Sequence, residues 1–411
     1  MVSEHRLPAH PRTRHSRPHP AAPRQPHHHC ILRPRPVPQQ ATANTLPRQV
    51  SRPQHPPPAS VCVRPLRNAM KLRISPPHGR LGGLATVRAA SMAPRVVGGR
   101  AAAKGRTPAV CCAASSAKVP NARLLEVARH AADVGAQVVM AAADKPKNLA
   151  RKEGTDIVTE TDKAAEVAIV DAILKAFPDH AVLGEEGGMS GNPASEYLWC
   201  IDPLDGTVNF AHGYPGFNVS VGVLRHATAV AGCVIEFVGA PGDWRMRKYY
   251  ACRNGGAMRD GKPISVSGTK ELRDAVVATE LSWYPKQWPF FQRLHTEFTQ
   301  RVRGTRMCGA AAANLCHLAE GMVDAYWQFN LKPWDAAAGV VIAEEAGARL
   351  ATANGTAYSV FDRSIVATND AVFEKVLEVT GPLMEEMHDA GVAVPPFKVA
   401  GYSVKTGAQL E

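Results

Sequence analysis

The chain has 411 residues with 48 Lys and Arg against 36 Asp and Glu, a net +12 that on its face suggests a nucleic-acid binder. The distribution excludes that reading: residues 1–118 hold 20 bases and the single acid Glu4, while the remainder holds 28 bases and 35 acids and is net −7. The basic part is crowded with Pro and His, has no aromatic interleaving and shows no periodicity that could build a binding surface.

Residues 1–69 read as low complexity, the triplet His27, His28 and His29 being compositional rather than a metal site. Residues 70–118 are Arg-rich, nearly free of acids and rich in Ala and Ser, the pattern of an organelle transit peptide. AVCCAAS at 109–115 has the character of a plastid processing site, so the transit segment is expected over 70–114 and the mature protein in the plastid stroma. Met70 stands where such a leader would begin. No apolar h-region suits secretion, and no run of eighteen apolar residues suits a bilayer span.

The body, 119–390, alternates in character, and 391–411 forms a C-terminal tail. Leu124, Leu125, Val127, Ala128, Ala131, Ala132 and Val134 give one helical face. After the polar DIVTETD (156–162), Ala164, Ala165, Val167, Ala168, Ile169 and Ile173 give a second. Strands are expected near 181–183, 198–202, 217–224 and 230–238, the last two forming an antiparallel pair. Beyond Gly255 and Gly256 the order is helix 288–302, helix 310–320, strand 322–328, a helix from Asp335, strand 364–368 and a helix to about 388. This mixture predicts a layered α/β fold with mixed sheets rather than a simple doubly wound domain. The body cysteines Cys200, Cys233, Cys252, Cys308 and Cys316 lack CxxC spacing and read as reduced thiols, most of them buried, not as zinc ligands.

Three acidic elements carry the chemistry. GEEGG (184–188) follows a short apolar run, WCIDPLDGTVNF (199–210) is a strand delivering Asp202 and Asp205 into a turn, and PWDAAAG (333–339) opens a helix. Glu185, Glu186, Asp202, Asp205 and Asp335 are hard oxygen ligands placed where an α/β fold can gather them around Mg²⁺. Read singly, each has a plainer explanation: Asp162 and Asp335 as helix N-caps, Glu185 and Glu186 as an exposed acidic turn. His212 reads as structural.

Together with DIVTETD, the segments GEEGG, WCIDPLDGTVNFAHGYP (199–215) and LKPWDAAAGVVIAEEAG (331–347) resemble the motifs of the inositol monophosphatase family, in particular its chloroplast members, over roughly 120–390. The resemblance implies a sugar-phosphatase fold of alternating helix and sheet layers, Mg²⁺-dependent hydrolysis of a small sugar or polyol phosphate such as myo-inositol 1-phosphate, lithium inhibition and a homodimer. It implies two or three Mg²⁺ per site. Glu185, Asp202 and the Leu204 carbonyl would hold the first, and Asp202, Asp205 and Asp335 the second. Pro203 has no N–H and would help orient the Leu204 carbonyl. Thr207 would activate water with Asp162 and Glu186 as orienting partners. Gly206 and Thr207 begin a turn whose N–H groups can cradle phosphate. For the substrate the implied contacts are Gly309, Ala310 and Ala311 through their backbone, and position 328, seven residues before Asp335. That position commonly carries a carboxylate, and here it is Gln328, which keeps hydrogen-bonding capacity without the charge. Lys332 lies near the expected mouth.

Two other classes compete. A haloacid-dehalogenase-type phosphatase also ends a strand in paired aspartates before Gly-Thr, but its aspartates are two apart and these are three. A non-catalytic binding protein would have no need of five filled acidic positions.

Overall fold

A computed structural model of the chain describes residues 118–152, 157–282, 284–393 and 395–399, all within the unit Arg106–Glu411. Almost all of the leader, with its transit segment, Met70, the histidine triplet and four cysteines, lies outside the described residues. So do Asp156 and residues 400–411 of the tail.

In chain order the elements are α1 (Asn121–Ala142), β1 (Leu149–Arg151), β2 (Ile157–Thr159), α2 (Glu160–Ala176), β3 (Ala181–Gly184), β4 (Gly188–Gly191), β5 (Tyr197–Asp205) and α3 (Thr207–His212). Next come β6 (Phe217–Arg225), β7 (Thr228–Ala240), β8 (Asp243–Cys252), β9 (Ala257–Arg259), β10 (Lys262–Pro263) and β11 (Val276–Ala278). The chain continues with α4 (Trp288–Arg301), β12 (Gly304–Arg306), α5 (Ala311–Ala319), β13 (Ala325–Phe329), α6 (Pro333–Glu345), β14 (Arg349–Ala351), β15 (Ser364–Thr368) and α7 (Phe373–Asp389). The expected helices and main strands are present. The additional strands are short or unpatterned: β11, β12 and β14 have three residues each, and β8 carries Asp243, Arg245 and Arg247 along one largely solvent-facing side.

An eight-stranded sheet in the order β10-β9-β8-β7-β6-β5-β3-β4 and a five-stranded sheet in the order β12-β11-β13-β15-β14 organise the domain. Both are mixed, with β3 parallel to β5 and β11 parallel to β12 and β13. The apolar face of α1 and Ala165, Ile169 and Ile173 of α2 pack on one side of the large sheet, against Trp199, Val219, Val221 and Ile235. Helices α5 and α6 fill the space between the sheets. Phe291 and Phe298 of α4 and Val376 of α7 cover the far face of the small sheet around Trp327. The layers therefore run helix, sheet, helix, sheet, helix, as expected for a layered α/β domain.

Helix α6 lies close against the large sheet because Gly222 and Gly232 face each other across β6 and β7. A Cβ on Gly222 would come within 2.6 Å of the Ala338 nitrogen, and one on Gly232 within 2.7 Å of the Ala338 Cα. Since α6 carries Asp335, this glycine pair sets the height of that carboxylate. Gly232→Val is expected to push the helix off the sheet and cost about 1–3 kcal/mol, read as a lower denaturation midpoint in urea.

The five body cysteines are free, with Cys200, Cys233 and Cys316 buried. Burial pushes the Cys233 thiol up to about 12 and that of Cys200 higher still, so both stay protonated and inert at neutral pH.

Candidate active site

Strand β5 does not stop at Asp202 to enter a turn, as the sequence suggested, but continues to Asp205. Asp202 pairs with Ser220 and Asp205 with Asn218, so three steps on β5 oppose two on β6. That extra residue is a β-bulge, the setting in which a strand tolerates a proline, here Pro203. On a regular strand residues three apart point to opposite faces; the bulge returns both aspartates to the same side.

Each carboxylate is fixed by donors rather than neutralised. Asp202, 3% exposed, accepts the Leu204 N–H at 3.0 Å. Asp205 Oδ2 accepts Asn218 Nδ2 and the Ala312 N–H, both at 2.8 Å, while its Oδ1 accepts the Ala311 N–H at 3.2 Å. The N-terminus of α5 thus points at Asp205, a favourable place for negative charge. Asp335 accepts the Lys332 N–H at 2.8 Å. It occupies the third position of α6, whose N-cap is Lys332 and whose first residue is Pro333, so the N-cap reading of Asp335 does not hold. Asp162 likewise stands third in α2, behind the N-cap Thr159, and accepts from the Thr159 backbone at 2.9 Å and from its hydroxyl.

Glu185 and Glu186 follow β3. Their backbone is held by Glu166 of α2, which accepts the Glu186 N–H at 2.8 Å and the Gly187 N–H at 2.5 Å. A Cβ on Gly184 or Gly187 would collide with the Glu166 carboxylate at 2.5–2.6 Å, which explains two glycines of GEEGG. Lys152, which follows β1, bridges the two acids, 2.9 Å from Glu185 and closer to Glu186. Burial opposes its charge, but the two carboxylates overcome this and raise its pKa.

Thr207 opens α3, with Gly206 at φ +85° as its N-cap. A Cβ there would press on the Gly216 and Gly309 carbonyls at 3.1 and 3.2 Å, so glycine is required for both dihedral and space. The Thr207 hydroxyl lies 3.2 Å from Asp162 Oδ1 and 3.1 Å from the Leu204 carbonyl, one proton facing two acceptors. The expected pairing of Thr207 with Asp162 is therefore present.

The electrostatics define the site. Asp202 is raised well above the carboxylate range by burial and then by Glu185, Asp205 and Asp335. Burial and Glu185 lift Asp335 to about 7, against Lys332. Burial lifts Asp205 to about 6 despite its donors from Asn218, Ala312 and Ala311. Burial also raises Asp162 and Glu186. Among the described residues no three His, Cys, Asp or Glu side chains are drawn into a finished ligand set. Glu185, Asp202, Asp205 and Asp335 nonetheless share one field, in which Lys152 at Glu185 and Lys332 beside Asp335 leave negative charge in excess. A hard cation fits such a donor set, since carboxylate and carbonyl oxygens are what it prefers.

The remaining expected residues are placed less simply. Gly309, at φ +78°, gives its N–H to Glu280 at 2.6 Å, and the Ala311 N–H goes to Asp205, so neither donor is free for a sugar. Ala310 is the N-cap of α5. Gln328, on β13, accepts from the Tyr326 hydroxyl. Lys332 lies 5.3 Å over the Trp334 ring, and His212 is an exposed residue at the end of α3. The sequence reading missed Lys152, Glu166, Asn218 and Glu280. Each is a single polar residue without a motif of its own, recognisable only from what it touches.

A five-layer α/β domain with excess carboxylates gathered at strand ends and a helix start is the build of a metal-dependent sugar-phosphatase-type enzyme. The sequence pattern of the inositol monophosphatase family matches residues 121–385, and the chain belongs to that family of phosphatases. It is 47% identical over 281 residues to a chloroplastic phosphatase of Arabidopsis thaliana, IMPL1, spanning 68% of this chain and 76% of that one. It is 38% identical over 266 residues to a fructose-1,6-bisphosphatase/inositol-1-monophosphatase of Aquifex aeolicus, spanning 64% of this chain and 97% of that one. Its fold is similar to that of the Thermotoga maritima IMPase TM1415 at a TM-score of 0.56 and 32% identity, over 64% of this chain and 97% of the other.

Proposed function

We propose that the protein is a Mg²⁺-dependent phosphomonoesterase acting on a small polyol or sugar phosphate, with myo-inositol 1-phosphate as its leading substrate. The observation that carries this reading is the under-neutralised carboxylate group formed by buried Asp202 with half-buried Asp205 and Asp335. Glu185, Asp202, Asp205, Asp335 and the Leu204 carbonyl would hold the metal. Bound Mg²⁺ would cancel charge on the phosphoryl oxygens and acidify a water. The chain's own residues supply the rest. Thr207, pinned between Asp162 and the Leu204 carbonyl, orients the attacking water, and Asp162 is the proton acceptor behind it. Glu186 lies beside the site, where Lys152 balances its charge. Gln328 faces the hydroxyls of the leaving alcohol.

The test is a panel of inositol 1-phosphate, galactose 1-phosphate, histidinol phosphate, fructose 1,6-bisphosphate and 3′-phosphoadenosine 5′-phosphate, with Mg²⁺ and then with chelator. Turnover that survives exhaustive chelation would end the metal reading, and lithium insensitivity would count against the family mechanism. The double activity in the name of the Aquifex aeolicus relative makes the bisphosphate the informative competitor. Gln328→Glu restores the carboxylate usual at that position. It is expected to lower KM for inositol 1-phosphate about tenfold with kcat nearly unchanged, the effect of adding a charged hydrogen-bond partner to uniform binding. An unchanged KM would show that residue 328 serves only Tyr326.

The same reading extends to the rest of the molecule. The catalytic domain spans 119–390 and works as a homodimer on a small phosphorylated substrate, with neither nucleic acid nor membrane as a partner. The leader directs the chain to the plastid, in keeping with the chloroplastic relative. A reporter fused to residues 70–118 should enter plastids and be trimmed near Cys111 to Ala114, and cytosolic retention would overturn this.

A further inference from the structure

Glu280 lies two residues past the end of β11, partly exposed, and belongs to none of the three acidic motifs. Its Oε1 accepts both the Gly309 N–H at 2.6 Å and Asn314 Nδ2 at 3.0 Å. Those donors flank the joint at which the loop turns into α5, Gly309 before it and Asn314, fully buried, in the first turn of the helix. The same joint presents the Ala311 and Ala312 N–H groups to the two oxygens of Asp205. On the opposite side Asn209 Nδ2 grips the Cys308 carbonyl at 2.8 Å and the Gly216 carbonyl at 3.1 Å. The loop is thus clamped twice, by an amide on its carbonyl side and by one carboxylate oxygen on its N–H side. Removing the second clamp frees Gly309 to rotate and lets the start of α5 retreat from Asp205.

We propose that Glu280 is a positioning residue that locks the Gly309–Ala311 loop and, through the start of α5, aims Asp205 at the cation. This rests on the reading of Asp205 as a metal ligand, through which a displaced loop would weaken the cation and, with it, the phosphate the cation holds. The role requires an acceptor oxygen at one point in space, not a negative charge. Gln offers that oxygen at the same reach; Asp keeps the charge and loses a methylene of reach.

Full-length wild type, Glu280→Gln, Glu280→Asp and Glu280→Ala are compared by calorimetric titration with Mg²⁺, by KM and kcat, and by thermal unfolding. For Glu280→Ala and Glu280→Asp the Mg²⁺ dissociation constant and KM are each expected to rise about tenfold, while Glu280→Gln stays within about threefold of wild type. If Glu280→Ala does not fold, the Gln and Asp variants still separate reach from charge. A variant set in which Asp is like wild type and Gln is impaired would overturn the proposal by assigning the role to charge. So would a loss of unfolding temperature with Mg²⁺ affinity and KM unchanged, which would make Glu280 purely structural. Failure of the underlying reading would look different, because the wild type itself would then bind no Mg²⁺.

Discussion

Asp202→Asn is expected to cut turnover by about 10³-fold or more, because it removes charge compensation that only a carboxylate at the centre of the site supplies. The same substitution should make the metal-free protein more stable. Asp202 is buried, and Glu185, Asp205 and Asp335 oppose its ionisation as well. Its folded-state pKa is therefore raised, the folded chain binds the proton more tightly than the unfolded one, and stability declines as pH rises. An amide of the same shape removes that penalty. An increase in unfolding temperature of roughly 5 °C without metal is expected, the shift that 1–3 kcal/mol produces in a domain of this size. Added Mg²⁺, which should raise the wild-type unfolding temperature, should raise that of the variant far less. A variant that is inactive and also less stable without metal would show that Asp202 is structurally satisfied and that its ionisation carries no such penalty.

Mg²⁺ binding should weaken steeply with acidification, because the ligands must lose protons before they coordinate. With Asp335 lifted to about 7 and Asp205 to about 6, both are ionised at pH 8 and largely protonated at pH 5.5. Two displaced protons make the dissociation constant about 100-fold weaker over that range. Metal-free stability should move in the opposite direction. Both groups have folded values above those of the unfolded chain, so the stability tied to them is present at low pH and is lost as pH rises through 6 and 7. Calorimetric titration at a series of pH values, together with unfolding curves without metal, checks both. An affinity flat between pH 5.5 and 8 would mean that these carboxylates are not the ligands.

The helices legible in the sequence included both kinds, α1 and α2 with one buried and one solvated face and α5 and α6 buried nearly all round. The apolar spacing of α1 and α2 marks where they meet the large sheet, and β5, β6 and β7 stand out as long, largely apolar runs because both faces are covered. The strands that escaped notice have too few residues to show a period, as in β11 and β12, or present charge to solvent along one face, as in β8. The N-cap readings of Asp162 and Asp335 failed for a shared reason. Each acid stands at the third helical position and accepts the backbone N–H of the cap residue, Thr159 or Lys332; with Thr159, whose hydroxyl also caps the helix, this is a capping box.

The carboxylate set itself was local information: Glu185 and Glu186 come from one pentapeptide, Asp202 and Asp205 from one strand, Asp335 from one helix start, and each segment is short enough to carry its own signature. What only the tertiary structure decided is how these segments act on one another. The β-bulge at Pro203 that turns both aspartates to one side depends on the register of β6. The depth of Asp335 depends on Gly222 and Gly232 of strands far away in the chain. The partners Lys152, Glu166, Asn218 and Glu280 act across 13 to more than 30 residues of sequence, and a lone polar residue carries no pattern until the fold brings its counterpart within hydrogen-bond reach. Which acidic residues take part is thus written in local composition, whereas the pKa and aim of their carboxylates arise from burial and proximity, which exist only once the layers have packed.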